Sequence, residues 1–395
     1  MKDPHAATRA FETRAIHAGA DANPTSALTP PIVQSSTFKL DSALHGAQLA
    51  QGLAPTEFYT RWGNPTTSGF ESVVASLEGA EAAIATASGM AALSLLLFSH
   101  LEQGDHLIVG QAIYSGVSEL AGNVLPRHGV DATMVDATQL DDVKRAIRPN
   151  TKLILVETPT NPILELCDLK RLAEIAREAG VTTAVDNTFA TPLQQRPIEL
   201  GIDVVVHAAT KYLGGHSDAT GGVLCATKEK VEKAWYLLKL FGCCLSPFEA
   251  WLFQRGLKTL SVRVAEQARS ALSLATFLEA HSAVKRVFYP GLPSHPQYDL
   301  ACAQMSGFGG MLSFEVEGGY NAAVRLAESL QIIQLAVSLG GVESIIQHPA
   351  SMTHGMLPAS EREKAGIAPG ILRLSVGLES VDDLRTDLSE GLTKV

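Results

Sequence analysis

Residues 205–218, VVHAATKYLGGHSD, set a lysine directly after an apolar run and place two glycines just beyond it. Lysine carries a compact, strongly hydrated charge and favours a solvated face. At the end of a core strand it is either a surface residue that snorkels or a reactive amine whose pKa burial lowers. The run that precedes it, 203–209, reads as a buried strand. Similar runs lie at 106–110 (HLIVG), 152–157 (KLILVE), 182–186 (TTAVD) and 221–227 (GGVLCAT). Residues 168–180, DLKRLAEIAREAG, read as an amphipathic helix with a glycine stop. Strands that are apolar nearly throughout, alternating with helices, imply an α/β fold built on a mostly parallel sheet covered on both faces.

The pattern changes on either side of this block. Residues 1–62 are weakly periodic, with stretches such as ALTPPIVQSSTF, and read as an N-terminal arm that needs other protein to pack on. Residues 63–256 form the large domain, opened by the capped helix in NPTTSGFESVVASLEGAE (64–81). Residues 257–395 carry a long helical stretch (262–284), the loop PGLPSHPQ, and then GGMLSFEVEGG, QIIQLAVSLGG and GILRLSVGLE, as expected of a smaller α+β C-terminal domain.

The chain of 395 residues is 46% hydrophobic and 18% charged, a globular balance rather than a disordered one. A net charge of −10 argues against nucleic-acid or anionic-membrane partners. The opening residues are polar and mixed in charge, unlike a secretory leader, and the most apolar run, AALSLLLF (91–98), is too short to span a bilayer. A cytoplasmic location is expected. Five scattered cysteines, with no C-x-x-C pair, suggest reduced thiols rather than a disulfide framework or a metal site.

Ligands of open α/β sheets sit beyond the carboxyl ends of the strands. The polar residues there are Glu157, Thr158 and Asn161, then Asp186, Asn187 and Thr188, then Thr210 and Lys211. Ser88, Gly89 and Met90 begin an apolar helix, whose free N–H groups and positive dipole end suit a phosphate. Each feature also has a plain reading: Asp186 as a turn residue, Gly89 as a packing glycine, His207 as a satisfied core histidine, GGHSD as a solvated loop. Together they supply a lysine for a Schiff base, an acid for a pyridinium nitrogen and a helix terminus for a phosphate. That is the protein's share of pyridoxal 5'-phosphate (PLP) chemistry.

Nearly from end to end the chain resembles the PLP enzymes of cysteine and methionine metabolism: the cystathionine lyases, cystathionine γ-synthase, methionine γ-lyase and the O-acylhomoserine sulfhydrylases. The resemblance rests on YTRWGNPT (59–66), ASGMAA (87–92), ETPTNP (157–162), VDNTFATP (185–192), ATKYLGGHSD (209–218) and LRLSVGLE (372–379). It implies a PLP transferase of fold type I, a homotetramer of tight dimers with shared sites. It implies a Schiff base on Lys211, and Asp186 on the pyridine nitrogen. Gly89, Met90 and Thr210 are implied at the phosphate, with Tyr59 and Arg61 reaching it from the neighbouring subunit. Tyr114 is implied to stack on the ring and to serve as acid. Asn161 is placed near the ring hydroxyl, Thr188 beside the ring, Arg373 on the substrate carboxylate and Ser338 beside the lysine.

Departures from the family pattern bear on the reaction. Ala208 stands where a phosphate-binding serine is usual, and Gly116 where methionine γ-lyase has a cysteine. Phe58, Glu119 and Val337 replace polar groups that recognise the distal half of cystathionine. Phe58, Val337 and QHPASMTH (347–354) resemble methionine γ-lyase, whereas LSPFEAWLF and GLPSHPQ equally resemble the O-succinylhomoserine sulfhydrylases. The expected activity is γ-elimination from a γ-substituted L-amino acid. The alternatives are γ-replacement by a thiol and, in another class, a catalytically silent PLP-fold binding protein.

Overall fold

The computed structural model describes residues 8–23, 25–353, 355, 362 and 366–395. The five strands read as apolar runs are there: β2 (His106–Gly110), β4 (Thr151–Glu157), β5 (Thr182–Asp186), β6 (Val204–His207) and β7 (Gly222–Ala226). Two more join them, β1 (Ala82–Thr86) and β3 (Asp131–Val135). The seven form one sheet in the order β1-β7-β6-β5-β4-β2-β3. All neighbours from β6 to β3 are parallel, and β7 runs antiparallel to both β1 and β6.

Side chains alternate across a strand, so a strand covered on both faces must be apolar at every position. Leu107, Val109, Leu153, Leu155, Val204 and Val206 face one core, packed against Leu93, Leu96 and Leu97 of the helix Gly89–His100. Ile108, Ile154, Val156 and Val185 face the other, against Leu172 and Ala176 of the helix Leu169–Ala179. That helix begins and ends where its sequence signals it. Asp168 accepts from Arg171 N–H at its start, and Gly180 takes a left-handed φ of 67° at its end.

A second sheet follows the long helix Leu260–Glu279, in the order β10 (Gln334–Leu335), β11 (Ile345–Gln347), β12 (Ile371–Ser375), β9 (Met311–Val316), β8 (Val284–Phe288). Its core joins Leu274 and Leu278 of that helix to Leu312, Phe314, Ile346, Leu372 and Leu374. Of the stretch 331–341 only Gln334–Leu335 form a strand, with Ala336 N–H still donating to the Ile346 carbonyl, before the chain turns so that Ser338 reaches Lys211. The helix expected to 284 stops at Glu279, and Val284 starts β8. Among the described residues of the first 62, Phe11–His17 and Ala43–Gln51 form short α-helices and Ala20–Ala22 a 3-10 turn. All five cysteines are among the described residues, and none forms a disulfide.

Candidate active site

Three neighbouring parallel strands end on one line of polar side chains. Glu157 and Asp186 are register partners at the ends of β4 and β5. Both are buried, at 7% exposure each. Burial raises the pKa of Asp186, against the pull of two hydrogen bonds from Thr188. Burial raises Glu157 well above the usual carboxylate range, and the Asp186 charge adds to it. Two adjacent buried acids without a protein cation bonded to either would be stabilised by a cationic ligand group. Thr188 N–H and Oγ1 both donate to Asp186 Oδ1, at 3.0 and 2.5 Å. Asp186 is therefore a turn residue through one oxygen, while Oδ2 takes no hydrogen bond from the described residues.

Lys211 follows β6 by four residues. Burial, and then the nearby Arg373 cation, lower its pKa to about 8. Its Nζ donates to Ser338 Oγ at 2.6 Å. Ser338 is one of few non-glycine residues with positive φ, at 83°, a strained conformation. That backbone also turns the Ser338 carbonyl to Arg373, whose Nη2 donates to it at 2.8 Å. Arg373, on β12, further donates from Nη1 to Asn161 Oδ1 at 2.8 Å and from Nη2 to Gln347 Oε1 at 2.6 Å. Its Nε–H is buried without a partner, and burial lowers the guanidinium pKa to about 10. A buried, unsatisfied, charge-bearing donor calls for an anionic ligand. Lys211, Ser338, Asn161 and Arg373 are thus linked by bonds across strand ends of both sheets, and the Asp186–Thr188 pair lies near enough for its charge to act on Lys211.

The phosphate-binding features lie on the same edge. Ser88 accepts from Ala91 N–H through Oγ, capping the helix Gly89–His100. The N–H groups of Gly89 and Met90, its first two positions, have no intrahelical partner. A Cβ at Gly89 would stand 2.7 Å from Ala208 Cβ, so only glycine lets the helix start approach the end of β6 this closely. Thr210 Oγ1 and Gly221 N–H are joined at 3.0 Å. Free helix N–H groups, a glycine cradle, a lysine of lowered pKa and an acid pair short of a cation fit the phosphate, aldehyde and ring nitrogen of PLP. Tyr114 lies at the mouth, 45% exposed, and its N–H donates to Glu157 Oε2 at 2.8 Å.

Other residues lie apart from this cluster. Tyr59 is exposed, and the Arg61 guanidinium sits 5.3 Å from its ring centroid and donates to the Lys239 carbonyl. Neither side chain bonds a member of the Lys211 cluster. Phe58 packs on Trp62, with centroids 5.1 Å apart. Val337 is 61% exposed beside Ser338. A Cβ at Gly116 would stand 2.8 Å from Met90 Sδ and 2.9 Å from Tyr114 Cε1, so Met90 and Tyr114 fill the space a cysteine would need. Gln347 escaped the sequence reading as an individual site residue. Its only signal was a lone amide closing the apolar run IIQ.

The family model described as Cys/Met metabolism PLP-dependent enzyme matches residues 12–393. L-methionine gamma-lyase of Porphyromonas gingivalis is 45% identical, covering 99% of each chain. Cystathionine beta-lyase of Coxiella burnetii is also 45% identical, over 97% of each. The crystal structure of cystathionine gamma synthase from Xanthomonas oryzae pv. oryzae, in complex with aminoacrylate and cysteine, superposes with a TM-score of 0.92 at 40% identity, covering 98% of each chain. Matched over nearly its whole length, the chain belongs to the PLP-dependent enzymes of cysteine and methionine metabolism.

Proposed function

We propose that the protein is a γ-lyase that eliminates the γ-substituent of an L-amino acid to leave a 2-oxo acid and ammonia. Bound PLP supplies the electron sink for this chemistry. Lys211 would hold the cofactor through its amine and, with substrate bound, would move protons between the substrate carbons. Asp186 would pair with the ring nitrogen through Oδ2 and keep it protonated. Thr188 orients that carboxylate, and Asn161 stands near the ring hydroxyl. Gly89, Met90 and Thr210 hold the phosphate from within the chain. Tyr59 and Arg61, exposed and unengaged with their own Lys211 cluster, hold it in the neighbouring subunit of a homotetramer. Arg373 binds the α-carboxylate through its free Nε–H, and Tyr114 protonates the leaving group at the mouth.

The observation that carries the choice of substrate is the wall beside Ser338. Val337 offers no charge there, and Phe58, which lies apart from that wall and packs tilted against Trp62, offers none in the segment of Tyr59 and Arg61. A distal ammonium–carboxylate group would lose hydration without partners, at roughly 1–3 kcal/mol per polar group. Small γ-substituents are favoured: methionine- or homocysteine-like, or O-linked as in canavanine and the O-acylhomoserines. The second reading is γ-replacement, favoured by the open mouth at Tyr114 and Val337, where a thiol has access. A panel of L-methionine, L-homocysteine, L-canavanine, an O-acyl-L-homoserine and L-cystathionine, read by 2-oxo acid, tests both. Oxo acid without added thiol supports elimination, and product only with added thiol establishes replacement. A clear preference for cystathionine would refute the argument from Val337.

A further inference from the structure

Below the line of site residues lies a second polar layer. Glu78 closes the helix Pro65–Glu78 and His207 closes β6, and both side chains are fully buried at 0% exposure. His207 Nε2 donates to Glu78 Oε1 at 2.6 Å. Asn187 Nδ2 donates to the same oxygen at 3.0 Å and to the Gln195 carbonyl at 2.8 Å. Gln195 Nε2 returns a bond to Asn187 Oδ1 at 2.9 Å. Two atoms of the layer, His207 Nδ1 and Glu78 Oε2, have no partner. Packing alone does not explain such a pair, because apolar residues of the same shape in place of a buried hydrogen-bonded pair can be as stable or more so.

The layer reaches Asp186 by two routes. Asn187 follows Asp186 directly, and its N–H donates to the Val206 carbonyl at 2.9 Å, one residue before His207. On the other side of His207, Ala208 N–H donates to Thr188 Oγ1 at 2.9 Å, and that hydroxyl donates to Asp186 Oδ1 at 2.5 Å. Fixing the His207 ring therefore fixes both strand ends that aim Asp186.

We propose that Glu78 and His207 are positioning residues that hold Asp186 as an anion aimed at the cofactor's ring nitrogen. They touch neither cofactor nor substrate and act through Asp186. The proposal rests on the reading of Asp186 given above.

The test compares Glu78→Gln, His207→Gln and Asp186→Asn in the full-length protein. PLP affinity of the apoprotein and the pH titration of the bound cofactor's visible absorption are measured, neither of which needs turnover. Glu78→Gln is expected to weaken PLP about tenfold and to move the spectral midpoint in the direction that Asp186→Asn moves it, by about one pH unit. In the Asp186→Asn background it should add nothing further to the spectrum. A purely structural role would lower the melting temperature in both backgrounds and leave the midpoint in place, which overturns the proposal. If either single variant fails to fold, the neutral Glu78→Gln/His207→Gln pair decides by the same readouts. If Asp186→Asn itself leaves affinity and spectrum unchanged, the assignment of Asp186 falls instead.

Discussion

Replacing Gln347 by leucine separates recognition of the α-carboxylate from the rest of the site. The side chain is 1% exposed, and its Oε1 accepts from Arg373 Nη2 at 2.6 Å. Its Nε2 donates to the Thr353 hydroxyl, so both ends are held. Gln347→Leu keeps the volume and removes the acceptor. A hydrogen bond to a charged group is worth about 1.5–3 kcal/mol, or about 10- to 150-fold in an equilibrium or rate ratio. Arg373 retains two bonds, to Asn161 Oδ1 and the Ser338 carbonyl, both at 2.8 Å, and those resist rotation of the guanidinium. The lower end therefore applies: kcat/KM should fall about tenfold, chiefly through KM. Steady-state kinetics with an oxo-acid readout measure this. Binding of the corresponding amine without a carboxylate, followed by the cofactor spectrum, is the control and should be unchanged. A kcat/KM within twofold of the parent in a folded variant would refute the reasoning, and so would an equal loss for amine and amino acid.

Other outcomes follow from the same geometry. Because burial brings the Lys211 amine to about pH 8, covalent attachment of PLP to the apoprotein should accelerate as pH rises through about 8, where the neutral amine accumulates. A rate flat from pH 7 to about 9.5, where an ordinary lysine is still mostly protonated, would contradict it. Ala208→Ser places a hydroxyl where Ala208 Cβ now meets the Gly89 backbone, and should tighten PLP by about 1 kcal/mol, close to fivefold, in equilibrium dialysis. Unchanged or weaker binding would show that the helix N–H groups and Thr210 already saturate the phosphate. Val337→Glu should raise kcat/KM for L-cystathionine relative to L-methionine at least tenfold, since a charged partner for the distal ammonium contributes about 1.5–3 kcal/mol. No change in that ratio means position 337 is not the selector.

The buried parallel strands were plain in the sequence because two covered faces force every residue to be apolar: HLIVG, KLILVE and TTAVD can hardly be anything else. Strands at the margins lack that constraint. Asp131–Val135 lies on the sheet edge with Asp131 and Met134 exposed, and Val284–Phe288 shows Lys285 and Arg286 to solvent. Neither offered an apolar run to read. The chemistry-bearing ends of the central strands were legible for the same reason as the strands: a polar residue that stops an apolar run must have somewhere to go. Partnerships between sheets were legible only through the family resemblance, which implied Ser338 beside Lys211. Lys211 meets Ser338 across 127 residues and Arg373 meets Asn161 across 212, and no local periodicity encodes such distances. Glu78 was hidden for another reason. It sits before Gly79, where a solvated helix-terminal acid is commonplace, and only its burial among Asn187 and His207 sets it apart.

The conformation of Ser338 carries a consequence for how the enzyme can evolve and be engineered. A side chain at φ 83° costs about 1–3 kcal/mol, and glycine would relieve it. A direct stabilising substitution therefore lies at the residue that serves both Lys211 and Arg373. Selection for heat tolerance alone would drift toward Ser338→Gly and lose the hydroxyl that Lys211 grips. Selection for turnover would keep the strain and seek robustness elsewhere, so the two pressures pull on one backbone torsion in opposite directions.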